Sequence, residues 1–165
     1  THSSPPRVLI LGAASGIAQA TARLYAAERA TIGLAGRNPA RLTSIADDLK
    51  TRGAGCDFDI DFVSADAAAS LAAADAELGG VDHIILAYGL LGDQRQAESD
   101  ADAARAILDV NFRSAAAWCL AAANFLEQKG KGSLVVLGSV AGDRGRRSNY
   151  VYGAAKAGLA VLVQG

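Results

Sequence analysis

Five short apolar runs recur along this chain, and each is followed by an alanine-rich stretch long enough for several helical turns. The runs are RVLILG (7–12), TIGLAG (31–36), CDFDIDFV (56–63), DHIILAY (82–88) and SLVVLGS (133–139). The stretches with helical spacing cover roughly residues 16–29, 39–52, 66–79, 101–129 and 149–164. Runs this short and this rich in aliphatic residues read as strands, and the longer periodic stretches as helices. Strands that are apolar nearly throughout are buried on both faces, which is the condition of a parallel sheet covered by helices. Right-handed crossovers then predict a doubly wound α/β fold of Rossmann type with strand order 3-2-1-4-5. A single domain over residues 1–165 is expected, because that length suffices for a sizeable core. Apolar residues make up 51% of the chain, with alanine dominant, 18 glycines and only 5% aromatics, which suits helices lying close on a sheet.

Charge and spacing exclude several function classes. The formal net charge is −1, from 16 basic and 17 acidic residues that are interspersed, so no basic footprint for nucleic acid or an anionic membrane is present. No uninterrupted apolar run reaches the ~18 residues of a membrane span, and the opening THSSPPRVLILGAASG lacks a charged-then-apolar signal layout, so a cytoplasmic protein is expected. Cys56 and Cys119 stand far apart and outside any ligand spacing, as do His2 and His83. Both cysteines are therefore expected to be small buried apolar residues, and no metal site is expected. The RGRRSN run, with Arg144, Arg146 and Arg147, reads as a solvated loop, binding of an anionic substrate being the alternative.

The chemistry-bearing residues cluster at three places. LGAASGIAQA puts Gly12 and Gly16 between the first strand and the first helix. Glycine lets backbone turn tightly and approach a ligand, and the helix N-terminus offers free amides and partial positive charge to a pyrophosphate; a plain strand-to-helix turn would use glycine too. After the second strand, IGLAGRNPAR holds no acid before Asp47, whereas a site selecting NAD carries one about 20 positions after the glycines for the ribose 2′-hydroxyl. Arg37 stands there instead, suited to pairing with a 2′-phosphate, with Arg41 a turn further on. Finally, NYVYGAAKAG places Lys156 four residues after Tyr152, on one helix face, whereas Tyr150 has Ala154 at that offset.

Together these segments resemble the short-chain dehydrogenase/reductase family, from the first strand to the last residue. Its motif Thr-Gly-x-x-x-Gly-x-Gly is met as Leu11, Gly12, Ala13, Ala14, Ser15, Gly16, Ile17, Ala18, with Leu11 in place of the threonine and Ala18 in place of the third glycine. The resemblance implies that Gly12, Ala14, Ser15, Gly16 and Ile17 line a dinucleotide site, that Asp66 in VSAD contacts adenine, and that Arg37 favours NADP(H), with NAD(H) the alternative. The family's Asn-Asn-Ala-Gly segment appears as LAYG, residues 86–89, keeping the backbone role of Ala87 and Gly89 and losing the asparagine side chains.

The same resemblance implies a catalytic set of Asn111, Ser139, Tyr152 and Lys156, with Ser139 preceding Tyr152 by 13 residues. Hydride transfer leaves negative charge on a carbonyl oxygen, which needs a proton and a hydrogen-bond donor. Tyr152 would give the proton, Ser139 would hold the oxygen, Lys156 would favour the phenolate and hold the nicotinamide ribose, and Asn111 would pin a water on the proton route, the alternative for Asn111 being a polar residue that satisfies a kinked helix. Tyr150 is expected to be a pocket wall or core residue.

The function implied is interconversion of a carbonyl and an alcohol on a small molecule using NADP(H), with a homodimer or homotetramer built on the helices at 101–129 and 149–164. The competing reading is a dinucleotide-binding regulatory or scaffold domain without turnover. Family members are longer, with further strands and a segment that covers the substrate. A chain stopping at LAVLVQG is accordingly expected to be a fragment, with an open sheet edge, poor solubility and little activity. AYGLLGDQ and GDRGRRSNYVYGAAKAG resemble, more loosely, members that reduce a keto-sugar attached to a lipid phosphate.

Overall fold

The computed structural model describes residues 4–50 and 56–165; His2 and the expected end of the second helix at 51–52 lie outside them. Five parallel strands form one sheet in the order β3-β2-β1-β4-β5: β1 (Arg7–Leu11), β2 (Thr31–Gly36), β3 (Cys56–Asp59), β4 (His83–Leu86) and β5 (Ser133–Val136). This is the predicted doubly wound order.

Side-chain alternation along the strands divides the core in two. Val8 and Ile10 of β1, Ile32 and Leu34 of β2, and Ile85 of β4 face α1 (Gly16–Ala27) and α2 (Pro39–Lys50). Leu9 and Leu11, Ala35, Ile84 and Leu86 point the other way, toward α3 (Ala67–Leu78) and the helices that follow β4. The buried stripe of α1 is Ala18, Ala22 and Ala26, small side chains that let the helix lie close on the sheet.

Three elements differ from the sequence expectation, each for a local polar reason. β3 stops at Asp59 rather than continuing to 63, because Asp61 folds the chain back: its carbonyl accepts from Ala65 N at 2.9 Å and its carboxylate from Val63 N at 3.1 Å. A short helix, α4 (Gln94–Ser99), follows β4, closed by Asp93 and Asp100 at its two ends. The long helix over 101–129 is interrupted: α5 (Ala101–Leu108) passes into a π-helical segment, Asp109–Ser114, and then into α6 (Ala115–Lys129). The buried Asn111 side chain donates to the carbonyls of Ile107 at 2.8 Å and Leu90 at 2.6 Å, and a side chain inserted this way widens the helical turn. The last helix, α7 (Tyr150–Gln164), packs on a single 3₁₀ turn, Val140–Gly142. No helix among the described residues is long and apolar enough to cross a membrane.

The strand ends opposite the glycine loop are tied by Asp82, just before β4. Its carboxylate accepts from Arg7 N at 3.0 Å, Nε at 2.9 Å and Nη2 at 3.0 Å, while Nη1 donates to the Gly79 carbonyl. Bonding from the Arg7 guanidinium holds the Asp82 carboxyl well below the usual carboxylate range. A depressed carboxyl contributes stability that is present above its unfolded pKa of about 4 and lost as the pH falls below it. For a partly exposed pair the contribution is about 1 kcal/mol. Asp82→Asn is expected to lower stability in urea by about that amount at pH 7, with the gap to the parent narrowing below about pH 4.

Candidate active site

Because all strands run the same way, their carboxyl ends open onto one side of the sheet, and a cleft of about 320 Å³ lies there. Gly12, Ala14 and Ser15 of the loop after β1, Arg37 after β2, and Ala87 and Gly89 after β4 line it. At Gly12 φ is +90°, and a Cβ there would lie 2.6 Å from the backbone N of Tyr88, so conformation and space both demand glycine. Gly12 N and Ala13 N both donate to the Ala35 carbonyl, at 2.9 and 3.1 Å, which draws the loop toward β2. Ser15 caps α1 through its hydroxyl, which accepts from Ala18 N at 3.1 Å. At Gly16, the first residue of α1, a Cβ would meet no protein atom within 4 Å. Nothing in the fold requires glycine at that position, whereas a group seated on the helix N-terminus would. Ile17 beside it is 63% exposed.

Arg37 is exposed at the cleft margin and forms no ion pair among the described residues; the only carboxylate lining the cleft is Asp61. Asp66 is placed elsewhere: it caps α3, accepting from Ala69 N at 3.0 Å, and does not line the cleft. An acid immediately before the alanine run of α3 carries the signal of a helix cap, and that signal accounts for Asp66. Sequence reasoning also passed over Gly36, Asn38, Asp61, Phe62, Val63, Tyr88 and Val110 as lining residues, although Tyr88 stands in the LAYG segment singled out above.

The remaining candidates gather at the far end of β4 and β5. Ser139 follows β5 and caps the 3₁₀ turn, its hydroxyl accepting from Ala141 N at 3.1 Å; its O–H proton finds no acceptor among the described residues. The turn lies directly on α7: a Cβ on Gly153 would stand 2.5 Å from the Ala141 carbonyl oxygen, and one on Gly142 2.9 Å from Ala157 N. These two glycines bring Ser139 to the stretch of α7 that carries Tyr152 and Lys156.

Lys156 is 4% exposed, donates weakly to the Leu137 carbonyl at 3.4 Å, and holds its ammonium 5.8 Å from the centre of the Tyr152 ring. Desolvation pushes its pKa down. On its other side it converges with Asn111 on Gly89, where a Cβ would lie 2.9 Å from Asn111 Oδ1 and 3.6 Å from Lys156 Nζ. Asn111 accepts from Leu90 N at 3.0 Å as well as donating to the Leu90 carbonyl, and so clasps the loop after β4 to the π-helical segment. The four expected catalytic residues thus stand on three separate elements: the π-helical segment, the turn after β5 and α7.

Two residues differ from expectation. Tyr150 is neither core nor cleft wall: it is 44% exposed, beside Gln94 and Glu98 of α4. Two positions before Tyr152 on a helix is a different face, and at the first residue of α7 that face points outward. Cys56 is half-buried at the start of β3, whereas Cys119 is buried as expected.

Comparison with known proteins bears on the family and the fold. Residues 6–165 match the short chain dehydrogenase family. An uncharacterized oxidoreductase of Mycobacterium tuberculosis (strain H37Rv) is 43% identical over 155 residues, covering 92% of this chain and 62% of the relative. The crystal structure of levodione reductase superposes with a TM-score of 0.88 at 26% identity, over 96% of this chain and 64% of that one. An NADH-dependent reductase complexed with NAD gives 0.84 at 27% identity, over 98% and 71%. The chain therefore spans less than two thirds of the length of its curated relative. With the strand order, the glycine loop and the family match in agreement, the chain belongs to the short-chain dehydrogenase/reductase family.

Proposed function

We propose that this chain carries the cofactor site and catalytic set of an NADP(H)-dependent oxidoreductase that interconverts a carbonyl and an alcohol on a small molecule. The observation that carries the cofactor assignment is Arg37, a cation without an ion-pair partner among the described residues, at the cleft margin where β2 ends. A guanidinium there pairs with a 2′-phosphate, and no carboxylate stands between the end of β2 and Asp47 to bind a 2′-hydroxyl instead. The glycine-lined entrance to α1 fits a pyrophosphate, since Gly16 leaves the helix N-terminus open to close approach.

The bound cofactor supplies or accepts hydride. The chain's own residues manage the oxygen and its proton. Ser139, whose O–H is uncommitted, donates to the substrate oxygen; Tyr152 transfers the proton; the Lys156 ammonium beside the Tyr152 ring lowers the cost of the phenolate. Asn111 holds the loop at Leu90 while its Oδ1 faces the lysine side of Gly89, a position from which it can order a water on the proton route.

A homodimer or homotetramer through the α5–α6 region and α7 belongs to the same reading. These helices carry exposed Leu108, Phe112, Leu120, Val161 and Val163, apolar area that a second copy would cover. Light scattering at micromolar concentration should give at least twice the chain mass, in this chain and in a form extended to the length of its relatives; a monomer in both would refute the assembly.

Two substitutions test the site. Arg37→Ala removes a charge-assisted pair worth about 1.5–3 kcal/mol, so NADPH should bind one to two decades more weakly while NADH is nearly unaffected. Equal losses for the two cofactors would overturn the assignment. Tyr152→Phe should leave cofactor affinity intact and lower turnover of a carbonyl panel by about 100-fold or more, the scale of general acid catalysis, while Tyr150→Phe should be nearly silent. Both assays belong in the extended form as well as in the 165-residue chain.

A further inference from the structure

Tyr88 stands in LAYG, the cleft segment that departs most from the family pattern, and it makes contacts that reach three other parts of the fold. Its ring stacks face to face on Phe62, with centroids 4.3 Å apart and planes within 2°. Its hydroxyl lies 2.7 Å from Ser114 Oγ in the π-helical segment, and Ser114 Oγ lies 2.8 Å from the Phe62 carbonyl. A carbonyl only accepts, so the single Ser114 proton is committed to Phe62, and the Tyr88 O–H must be the donor to Ser114. The Phe62 carbonyl also accepts from Trp118 Nε1 at 3.0 Å, which occupies its second lone pair. Ser114 and Trp118 are buried, and the Tyr88 backbone is the surface against which Gly12 is packed.

Tyr88 therefore joins the glycine loop, the loop after β3 and the π-helical segment at one point, and both Tyr88 and Phe62 line the cleft. Asp61 and Val63, on either side of Phe62, line the cleft as well. We propose that Tyr88 is a positioning residue for the dinucleotide: the Tyr88–Ser114–Phe62 bridge holds the loops after β3 and β4 at the separation that the cofactor's adenosine half needs, so that the cleft is formed before the cofactor arrives. This rests on the reading of the cleft as a dinucleotide site. A bridge of neutral hydrogen bonds around a stacked pair preorganises a site without adding charge to it, so it serves NADPH and NADH alike.

The test is cofactor titration of Tyr88→Phe, Ser114→Ala and the double variant, followed by reduced-nicotinamide fluorescence far below each variant's unfolding temperature. Tyr88→Phe keeps the stack and removes only the bridge. Each single variant should bind NADPH and NADH about 5-fold more weakly, by equal factors for both, as expected for loss of one hydrogen-bonded link. The double variant should be no worse than about 5–10-fold, because both changes break the same link. In stopped-flow binding, the parent rate should rise linearly with cofactor concentration, and the Tyr88→Phe rate should level off as a loop-ordering step appears. Unchanged dissociation constants in Tyr88→Phe, with or without reduced thermal stability, would overturn the proposal, as would fully additive losses. A parent protein that binds neither cofactor would overturn both this proposal and the dinucleotide reading, whereas a parent that binds normally beside an unaffected Tyr88→Phe overturns this one alone.

Discussion

The register of β1 against its neighbours governs everything else in this molecule. Its residues are buried on both faces, Val8 and Ile10 toward α1 and α2, Leu9 and Leu11 toward α3 and α6, each at most 1% exposed. A strand apolar on both sides gains no register from hydrophobicity, since a slip of one residue exchanges one apolar face for another. Specific contacts set it instead. Gly33 of β2 lies opposite Leu9, where a Cβ would stand 2.9 Å from the side chains of Leu78 and Phe58, so only this register leaves room for the neighbouring core. At the strand's start, Arg7 and Asp82 bind through both backbone and side chain, which aligns β1 with β4.

Once β1 is placed, the site follows from strand polarity. Parallel strands end on one side, so the loops after β1, β2, β3 and β4 share one cleft although they are distant in sequence. Close packing then sets distances within that side. Gly12 allows the first loop to touch Tyr88, and the pair Gly142 and Gly153 allows the turn after β5 to rest on α7. A methyl group at any of these positions would push apart backbones that lie in contact here.

Burial of Lys156 comes at a cost in stability. An ammonium that is 4% exposed, with a 3.4 Å bond to one carbonyl and an aromatic ring 5.8 Å away, is incompletely compensated for lost water. Its depressed pKa records that cost. Asn111 presents the opposite case: every polar atom of its amide is bonded to backbone, and the widened helical turn around it is what makes those bonds reachable.

Much of this was legible in the residues. Apolar runs of strand length separated by alanine-rich helical spacing specified the α/β class and the order 3-2-1-4-5, because period and burial pattern are local properties of a chain. The places of Gly12 and Arg37 at strand ends, and of Tyr152 and Lys156 on one helix, were readable from their offsets to those elements, since a strand end or one helix face is set by sequence distance alone. The early end of β3, the outward face of Tyr150 and the contacts of Asp61 and Tyr88 were not, and the break in the 101–129 helix was present only as the alternative reading of Asn111. The break and the Tyr88 contacts depend on partners 20 to 60 positions away, as when Asn111 reaches Leu90 or Tyr88 reaches Phe62 through Ser114, and the end of β3 on the amides from which Asp61 accepts. The sequence by itself determined the alternation of strands and helices and the strand order. Only the tertiary structure decided which polar side chains are consumed in bracing and which are left to face the cleft, because hydrogen-bond partners are chosen by proximity in space, which periodicity does not encode.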